Sequence, residues 1–407
     1  MSKAVAIINI ANVAGGGVRV AVHMANILAE EGFEVLLVAL TGFSATTLDN
    51  IHGSSISRYI GRNLFMRYYL DEASKSLRHL ILKLRPLAYM YFNRIITEII
   101  NEYKPDTIIL FDDIPQVDWG NVKGDIIVYS HFPYAARIMF DIYDALNSEI
   151  ADYKINLEIL KERSLRFFLR KYFYIGDVRK FNNIKVIANS TVTAYFAERT
   201  WGSVTSVLHP PVTINSSFNR DVFLKDNIIV SLGAISPNKY HGLAVEAFSK
   251  VKRRFKSCKL AIMGFLIDKK YYTYLLKKIR SYELEDSVII LHNLTDRLKW
   301  QILYKAKVIV HASKFEPFGI AVAEGMAAGA IPIVYRGYTS GSWIDIVEQG
   351  KYGFGFKTVD ELADIMDNVL DYSKSELEEW SLKVRERAKL FSLKAFRQKF
   401  MKFFNKQ

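Results

Sequence analysis

VIVHASKFEPFGIAVAEGMAAGAIPIVY, residues 308–335, opens on a β-branched run, turns through Pro317, continues as a small-residue segment of helical length and closes on a second β-branched run. Short apolar runs bounded by turn signals suit strands buried on both faces. Two of them joined by a helix-length crossover suit a parallel pair. The stretch therefore reads as one unit of a doubly wound α/β sheet.

The same alternation continues on the N-terminal side, with strand-like runs at Ile228–Leu232, Leu260–Met263 and Val288–Leu291. Earlier in the chain a separate series occupies Ala4–Asn9, Glu34–Leu40, Thr107–Phe111, Ile126–Tyr129 and Ile184–Ala188. A chain of 407 residues suits two ordinary domains. The fold expected is α/β, with two Rossmann-like parallel sheets. HPPVTINSSFNRD, residues 209–221, breaks regular structure at Pro210 and Pro211 and has linker composition. That places the domains at 1–208 and 212–389. The segment 390–407 is a closing helix, N-capped by Ser392, with Phe396, Phe400, Phe403 and Phe404 on one face.

Hydrophobic residues make up 50% and charged residues 24%, which excludes a disordered or fibrous chain. Cys258 is the single cysteine, so no internal disulfide forms, and its strand-like surroundings suit a small core residue. The opening MSKAVAIINI runs straight into a strand pattern without the features of a signal peptide, and no uncharged apolar stretch approaches the ~20 residues of a membrane-spanning helix. A cytoplasmic location is the expectation.

The net charge is +13, and two segments of the first half, 60–100 and 154–185, carry most of the excess. In the first, Leu77, Leu80, Ile81, Leu84, Leu87 and Tyr91 recur at helical spacing between Lys75, Arg78, Lys83 and Arg85. In the second, Arg163, Arg166, Arg170 and Lys171 interleave with Phe167, Phe168, Tyr172 and Phe173. Basic amphipathic segments of this kind suit peripheral contact with an anionic membrane surface. They equally suit helices packed on their own core with a solvated basic face. No nucleic-acid motif accompanies the charge.

Gly15, Gly16 and Gly17 follow the first strand and precede a helix, so backbone amides there can face an anion or a sugar, or merely make a strand-to-helix turn. No acidic residue ends the second strand, which disfavours NAD. In the quoted stretch, Glu316 precedes the helix and Glu324 lies about two turns inside it. Amides around Phe318, Gly319 and Ile320 then point out of a helix N-terminus, as a diphosphate requires, and Glu324 can accept two hydrogen bonds from a vicinal diol such as ribose. A solvated helix glutamate is the plainer alternative.

These residues carry a resemblance. FEPFGIAVAEGMAAGAIPIV (315–334), VSLGAISPNK (230–239), VIANSTVT (186–193) with VLHPPV (207–212), SHFPY (130–134) and the glycine-rich start resemble, in order, the retaining glycosyltransferases of family 4 with their Glu-x7-Glu motif. The closest look is to mannosyltransferases that extend lipid-linked oligosaccharides. The resemblance implies a GT-B fold, two Rossmann-like domains facing across a cleft with the C-terminal helix crossing back to the first. The N-terminal domain would take the acceptor and the C-terminal domain the nucleotide sugar.

By the same resemblance, Glu316 contacts the transferred sugar, Lys239 neutralises the diphosphate and His131 lines the reaction centre. Gly16, Gly17, Gly233, Phe318, Gly319, Ile320 and Glu324 bind the donor. Hexose transfer from GDP-mannose or UDP-glucose proceeds with retention and without a metal, to a lipid-linked or other glycan acceptor. The residues themselves agree with the last point only in lacking a His/Cys cluster at ligand spacing, and Asp112 and Asp113 look like a strand-end turn.

The chain departs from the family's pattern at Ala234, where an arginine usually follows the phosphate-binding glycine. Arg19 and Arg336 are candidates to supply the missing charge. An epimerase or an inverting transferase on the same fold, or a non-catalytic nucleotide-sugar or membrane-surface binding module, are the rival readings.

Overall fold

A computed structural model describes residues 4–8, 16–39, 44–69, 85–112, 114–115, 117–133, 177–212 and 225–405. They fall into two compact units. The first comprises residues 4–133, 177–211 and 397–405, and the second residue 212 with 225–396.

The first unit is built on seven strands: β1 (Ala4–Ile8), β2 (Glu34–Ala39), β3 (Leu64–Tyr68), β4 (Thr107–Phe111), β5 (Asp125–Ser130), β6 (Ile184–Ala188) and β7 (Ser206–Val207). They lie in the order β3-β2-β1-β4-β5-β6-β7 and every pairing is parallel. The second unit holds β8 (Asp226–Leu232), β9 (Lys259–Gly264), β10 (Val288–His292), β11 (Ala306–His311), β12 (Ile331–Tyr335) and β13 (Phe354–Phe356), in the order β10-β9-β8-β11-β12-β13, again all parallel. Both sheets are doubly wound, and each reverses its winding beside its first strand.

The sequence pattern misses β3, β7 and β13, and all three are sheet edges. An edge strand is covered on fewer sides and needs no continuous apolar run. LFMRY in β3 buries only Leu64 fully, while β7 and β13 are two and three residues long.

The interior strands are close to fully buried because helices cover both faces. In the first unit Ile8, Ile108, Leu110, Ile126, Val128 and Val186 pack with Ile95, Ile96, Ile99, Trp119 and Trp201. Burying a side chain of this size contributes roughly 1.5–3 kcal/mol. Ser190 caps the helix Thr191–Trp201 by accepting from Thr193 N at 3.0 Å, and Gly202 at φ 80° ends it. Ser392 Oγ accepts from Ala395 N at 3.2 Å at the start of the helix Leu393–Phe404, whose Phe396, Phe400 and Phe404 are buried. Phe404 meets Phe33 edge-on at 5.3 Å, and Arg397 pairs with Glu31 at 2.6 Å and with Glu30. Phe403 is only half-buried.

In the second unit Cys258 is buried just before β9 beside Leu260, Phe248 and Val308, and burial pushes its thiol up to about 11. Among the described residues no helix is long and apolar enough to cross a membrane. Of the two basic segments, residues 70–84 and 154–176 lie outside the described residues, as do Gly15 and Asp113. Residues 64–68 of the first segment are β3, and its last part belongs to the helix Arg85–Glu102.

Candidate active site

In a doubly wound sheet, loops leaving adjacent strands on opposite sides of the winding diverge and leave a crevice outside the strands' carboxyl ends. In the second unit that point lies between β8 and β11. The loop after β8 carries Gly233, Ala234 and Lys239. The loop after β11 carries Glu316, Phe318 and Gly319. Ser313, fully buried, ties the two loops by donating from Oγ to Asn238 O at 2.9 Å. Lys239 is thereby set beside Glu316, and its Nζ donates to Oε2 at 2.6 Å.

His311, the last residue of β11, donates from Nε2 to the same Oε2 at 2.9 Å. Burial alone would raise the Glu316 pKa, but the Lys239 and His311 contacts outweigh it and hold the carboxyl well below the usual range. Glu316 is therefore an anion at neutral pH, with a side chain 12% exposed. Its backbone is held as firmly: Glu316 N donates to Thr339 O at 3.1 Å and Gly341 N donates to Glu316 O at 2.7 Å.

Gly319 stands at φ 103°, and a Cβ there would come within 2.0 Å of Ser342 Oγ. Ser342 Oγ donates to Phe318 O at 3.1 Å. The Phe318 ring is core, packed edge-on against Phe391 at 5.3 Å, so only its backbone is left for a ligand. The helix begins at Ile320 with Gly319 as its cap. Glu324 thus sits one turn into the helix rather than two, because Pro317 belongs to the turn and not to the helix. Its carboxylate is buried and accepts from Lys299 Nζ at 3.0 Å, while Lys299 also meets Asp296 at 2.8 Å.

His311 and Lys299 are the site residues that sequence reasoning misses. His311 lies in the quoted stretch without being given a role there, and Lys299 sits in no motif. His311 reads as the end of a strand, and Lys299 as one cation among several in the helix Asp296–Lys305.

Below the loop after β8, His241 is buried, and its Nδ1 lies 2.7 Å from Ser231 Oγ and its Nε2 3.1 Å from Ala234 O. Burial lowers its pKa to about 4, so it is neutral, with Nε2–H donating to the carbonyl of Ala234 and Nδ1 accepting from Ser231. A neutral histidine thus supports the position where the family's arginine stands. Gly264 presses on Gly233 so closely that a Cβ would fall 1.7 Å from Gly233 O. Arg336 is exposed, with its guanidinium 3.4 Å from Glu361.

The first unit has its own winding reversal, between β1 and β4. Gly16 and Gly17 open the helix Gly16–Glu30, which also carries Arg19, half-buried. His131 follows β5, and a Cβ on Gly17 would stand 3.1 Å from its Cε1. Asp112, at the carboxyl end of β4, accepts from His131 N and Nδ1, both at 3.0 Å. It is a strand-end residue at φ 70°. Among the described residues no cluster of three or more His, Cys, Asp or Glu could hold a metal ion.

Residues 213–388, which contain both loops and both glutamates of the second unit, match the family described as glycosyl transferases group 1. This segment is a group 1 glycosyltransferase domain. Over 304 residues the chain is 24% identical to a GDP-Man:Man(3)GlcNAc(2)-PP-Dol alpha-1,2-mannosyltransferase of Dictyostelium discoideum, covering 68% of this chain and 58% of that relative. The chain spans about half the length of the curated mannosyltransferase relatives it matches. Sucrose-phosphate synthase from Thermosynechococcus elongatus superimposes with a TM-score of 0.67 at 14% identity, over 99% of this chain and 98% of that one. WaaG, a glycosyltransferase involved in lipopolysaccharide biosynthesis, does so at 0.64 and 13% identity, over 97% of each. The fold around the group 1 domain is GT-B.

Proposed function

We propose that the protein is a glycosyltransferase that moves a hexose from a nucleotide sugar to a glycan acceptor. The observation that carries this reading is the convergence of Lys239, His311 and Glu316 at the winding reversal of the group 1 domain. A departing nucleoside diphosphate gains negative charge in the transition state, and a fixed ammonium beside a helix N-terminus stabilises it. Lys239 supplies the ammonium, with the backbone of Gly233, Phe318, Gly319 and Ile320 around the phosphates. Glu316 orients the sugar, and Glu324 reads the ribose diol. Residues 212–389 would then be the donor domain and 1–208 the acceptor domain, with Gly16, Gly17 and His131 beside the sugar.

Mannose from GDP-mannose, passed to a lipid-linked oligosaccharide, is the preferred pair, supported by the mannosyltransferase name of the Dictyostelium relative. UDP-glucose is the second donor to try. Transfer with retention, without a metal, by a protein peripheral to the cytoplasmic face of a membrane completes the proposal. Arg19 and Arg336, the latter facing Glu361, are both to be tested for the missing arginine by charge-removal variants.

Thermal stabilisation of the full chain by GDP, UDP and ADP and their sugar conjugates tests the donor site, because a ligand that binds the native state raises Tm by mass action. One nucleotide should stabilise selectively, and Lys239→Ala and Glu324→Ala should abolish the shift. No shift with any nucleotide would sink the reading and favour a non-catalytic module. The anomeric configuration of the product, read by NMR, decides retention against inversion.

A further inference from the structure

Neutral imidazole carries its proton on one ring nitrogen, and the hydrogen bond made by that nitrogen decides what the other offers. Asp112 makes this choice for His131. Its Oδ1 lies 3.0 Å from the ring's Nδ1 and 3.0 Å from the backbone N of the same residue. An ionised carboxylate only accepts, so Nδ1 must donate, and in the neutral ring Nε2 is then left with its lone pair.

The surroundings fix both partners. Asp112 N donates to Tyr129 O at 3.0 Å, and the residue occupies the left-handed region at φ 70°. His131 O accepts from Thr193 Oγ1 at 2.9 Å. The ring stacks on Phe111 at 5.9 Å and meets Tyr129 edge-on at 5.1 Å. Its Nε2 is buried and has no hydrogen-bond partner among the described residues. A buried acceptor left without a donor costs stability, and a site that keeps one points to a partner that arrives with the ligand. Gly17 leaves room beside the ring at Cε1, since a Cβ there would crowd Cε1 at 3.1 Å, Nδ1 at 3.4 Å and Nε2 at 3.5 Å.

We propose that Asp112 is a positioning residue that holds His131 in the Nδ1–H tautomer, so that Nε2 accepts a hydrogen bond from a hydroxyl of a sugar substrate. The identity of the ligand rests on the transferase reading, whereas the tautomer rests on the hydrogen bonds alone. The other tautomer, or the imidazolium, would present a donor to a group that the site needs to anchor by its own proton.

The full chain labelled with 15N-histidine reports the tautomer directly through long-range proton–nitrogen correlations, with His131 assigned by its loss in His131→Gln. The wild type should give the Nδ1–H pattern. Asp112→Asn, which suits the left-handed backbone equally well, should shift the population towards Nε2–H, because the amide can donate to Nδ1. GDP-mannose should move the Nε2 resonance of the wild type, and Asp112→Asn should lower kcat roughly tenfold, the loss expected for one such hydrogen bond. An Nε2–H wild type, or a tautomer unchanged in Asp112→Asn, overturns the role of Asp112. GDP-mannose that binds without moving the Nε2 resonance overturns the sugar contact. A chain that neither binds nor turns over any nucleotide sugar sinks the transferase reading and the sugar ligand with it, and the tautomer still decides the part played by Asp112.

Discussion

The two winding reversals of this molecule are built from the same topology and filled with different chemistry. In the second unit the crevice between β8 and β11 is crowded with compensated charge, Lys239 on Glu316 with His311 hydrogen-bonded beside it, and Lys299 on Glu324. In the first unit, the helix at the corresponding place opens on glycines, and the nearby ring of His131 is held by one carboxylate and two aromatic neighbours. Fixed charges inside a low-dielectric crevice suit a ligand that is itself charged, such as a diphosphate. Glycine backbone and an imidazole suit hydroxyls. Two copies of one architecture have thus been specialised by the side chains at the carboxyl ends of a few strands.

That contrast breaks first at Lys239. Lys239→Ala should lower kcat by about 10²–10³, the usual loss when one stabilising group is removed from a transition-state clamp, and should abolish nucleotide-induced stabilisation. Steady-state kinetics beside calorimetry checks both, and retained nucleotide binding would end the assignment of charge recognition to this unit. His131→Gln is the counterpart. It should lower turnover roughly tenfold or more while leaving the affinity for the free nucleoside diphosphate unchanged; equal damage to both would erase the division of labour.

Next in size is Gly319→Ala. The left-handed backbone and the 2.0 Å approach to Ser342 Oγ together predict a loss of about 2–4 kcal/mol, read as a fall in Tm. Gly17→Ala should cost less stability and should perturb the His131 ring instead, because the nearest atoms to its Cβ are those of the ring, from 3.1 Å.

Acid sharpens the comparison from another side. His23 in the first unit and His241 in the second are both buried and held near pKa 4, chiefly by burial. The unfolded chain binds protons at these residues from about pH 6.5 downwards and the folded chain only near 4, so stability present above pH 6.5 is lost as pH falls towards 4. Glu316 has the carboxylate's version of the same sign. Its contribution is present above about pH 4.5 and is lost only below it. His241→Asn should therefore partly flatten the dependence of Tm on pH between 6.5 and 4.5, where His23 still contributes, whereas Glu316→Gln should change it only below about 4.5.

The interior of both sheets was legible from β-branched runs such as Ile228–Leu232, because a strand covered on two faces must be apolar throughout. The edges were not, as LFMRY in β3 illustrates with one fully buried residue of its five. Of the site, Glu316 and Glu324 stood out because a turn and a helix start marked them, whereas Lys239 was reached only through the family resemblance. His311 and Lys299 did not, since their meaning lies in contacts with Glu316 and Glu324 that only the folded chain creates. Asp112 was read as a turn residue, which it is, and its grip on His131 depends on β4 and β5 lying side by side.

Cys258 gives the molecule a built-in clock. A thiol that is buried in the second unit, raised to about 11 and the only one in the sequence cannot react with a labelling reagent until its surroundings open. The rate of modification under native conditions therefore times the opening of the group 1 domain alone, and the first unit, having no thiol, contributes nothing to the signal.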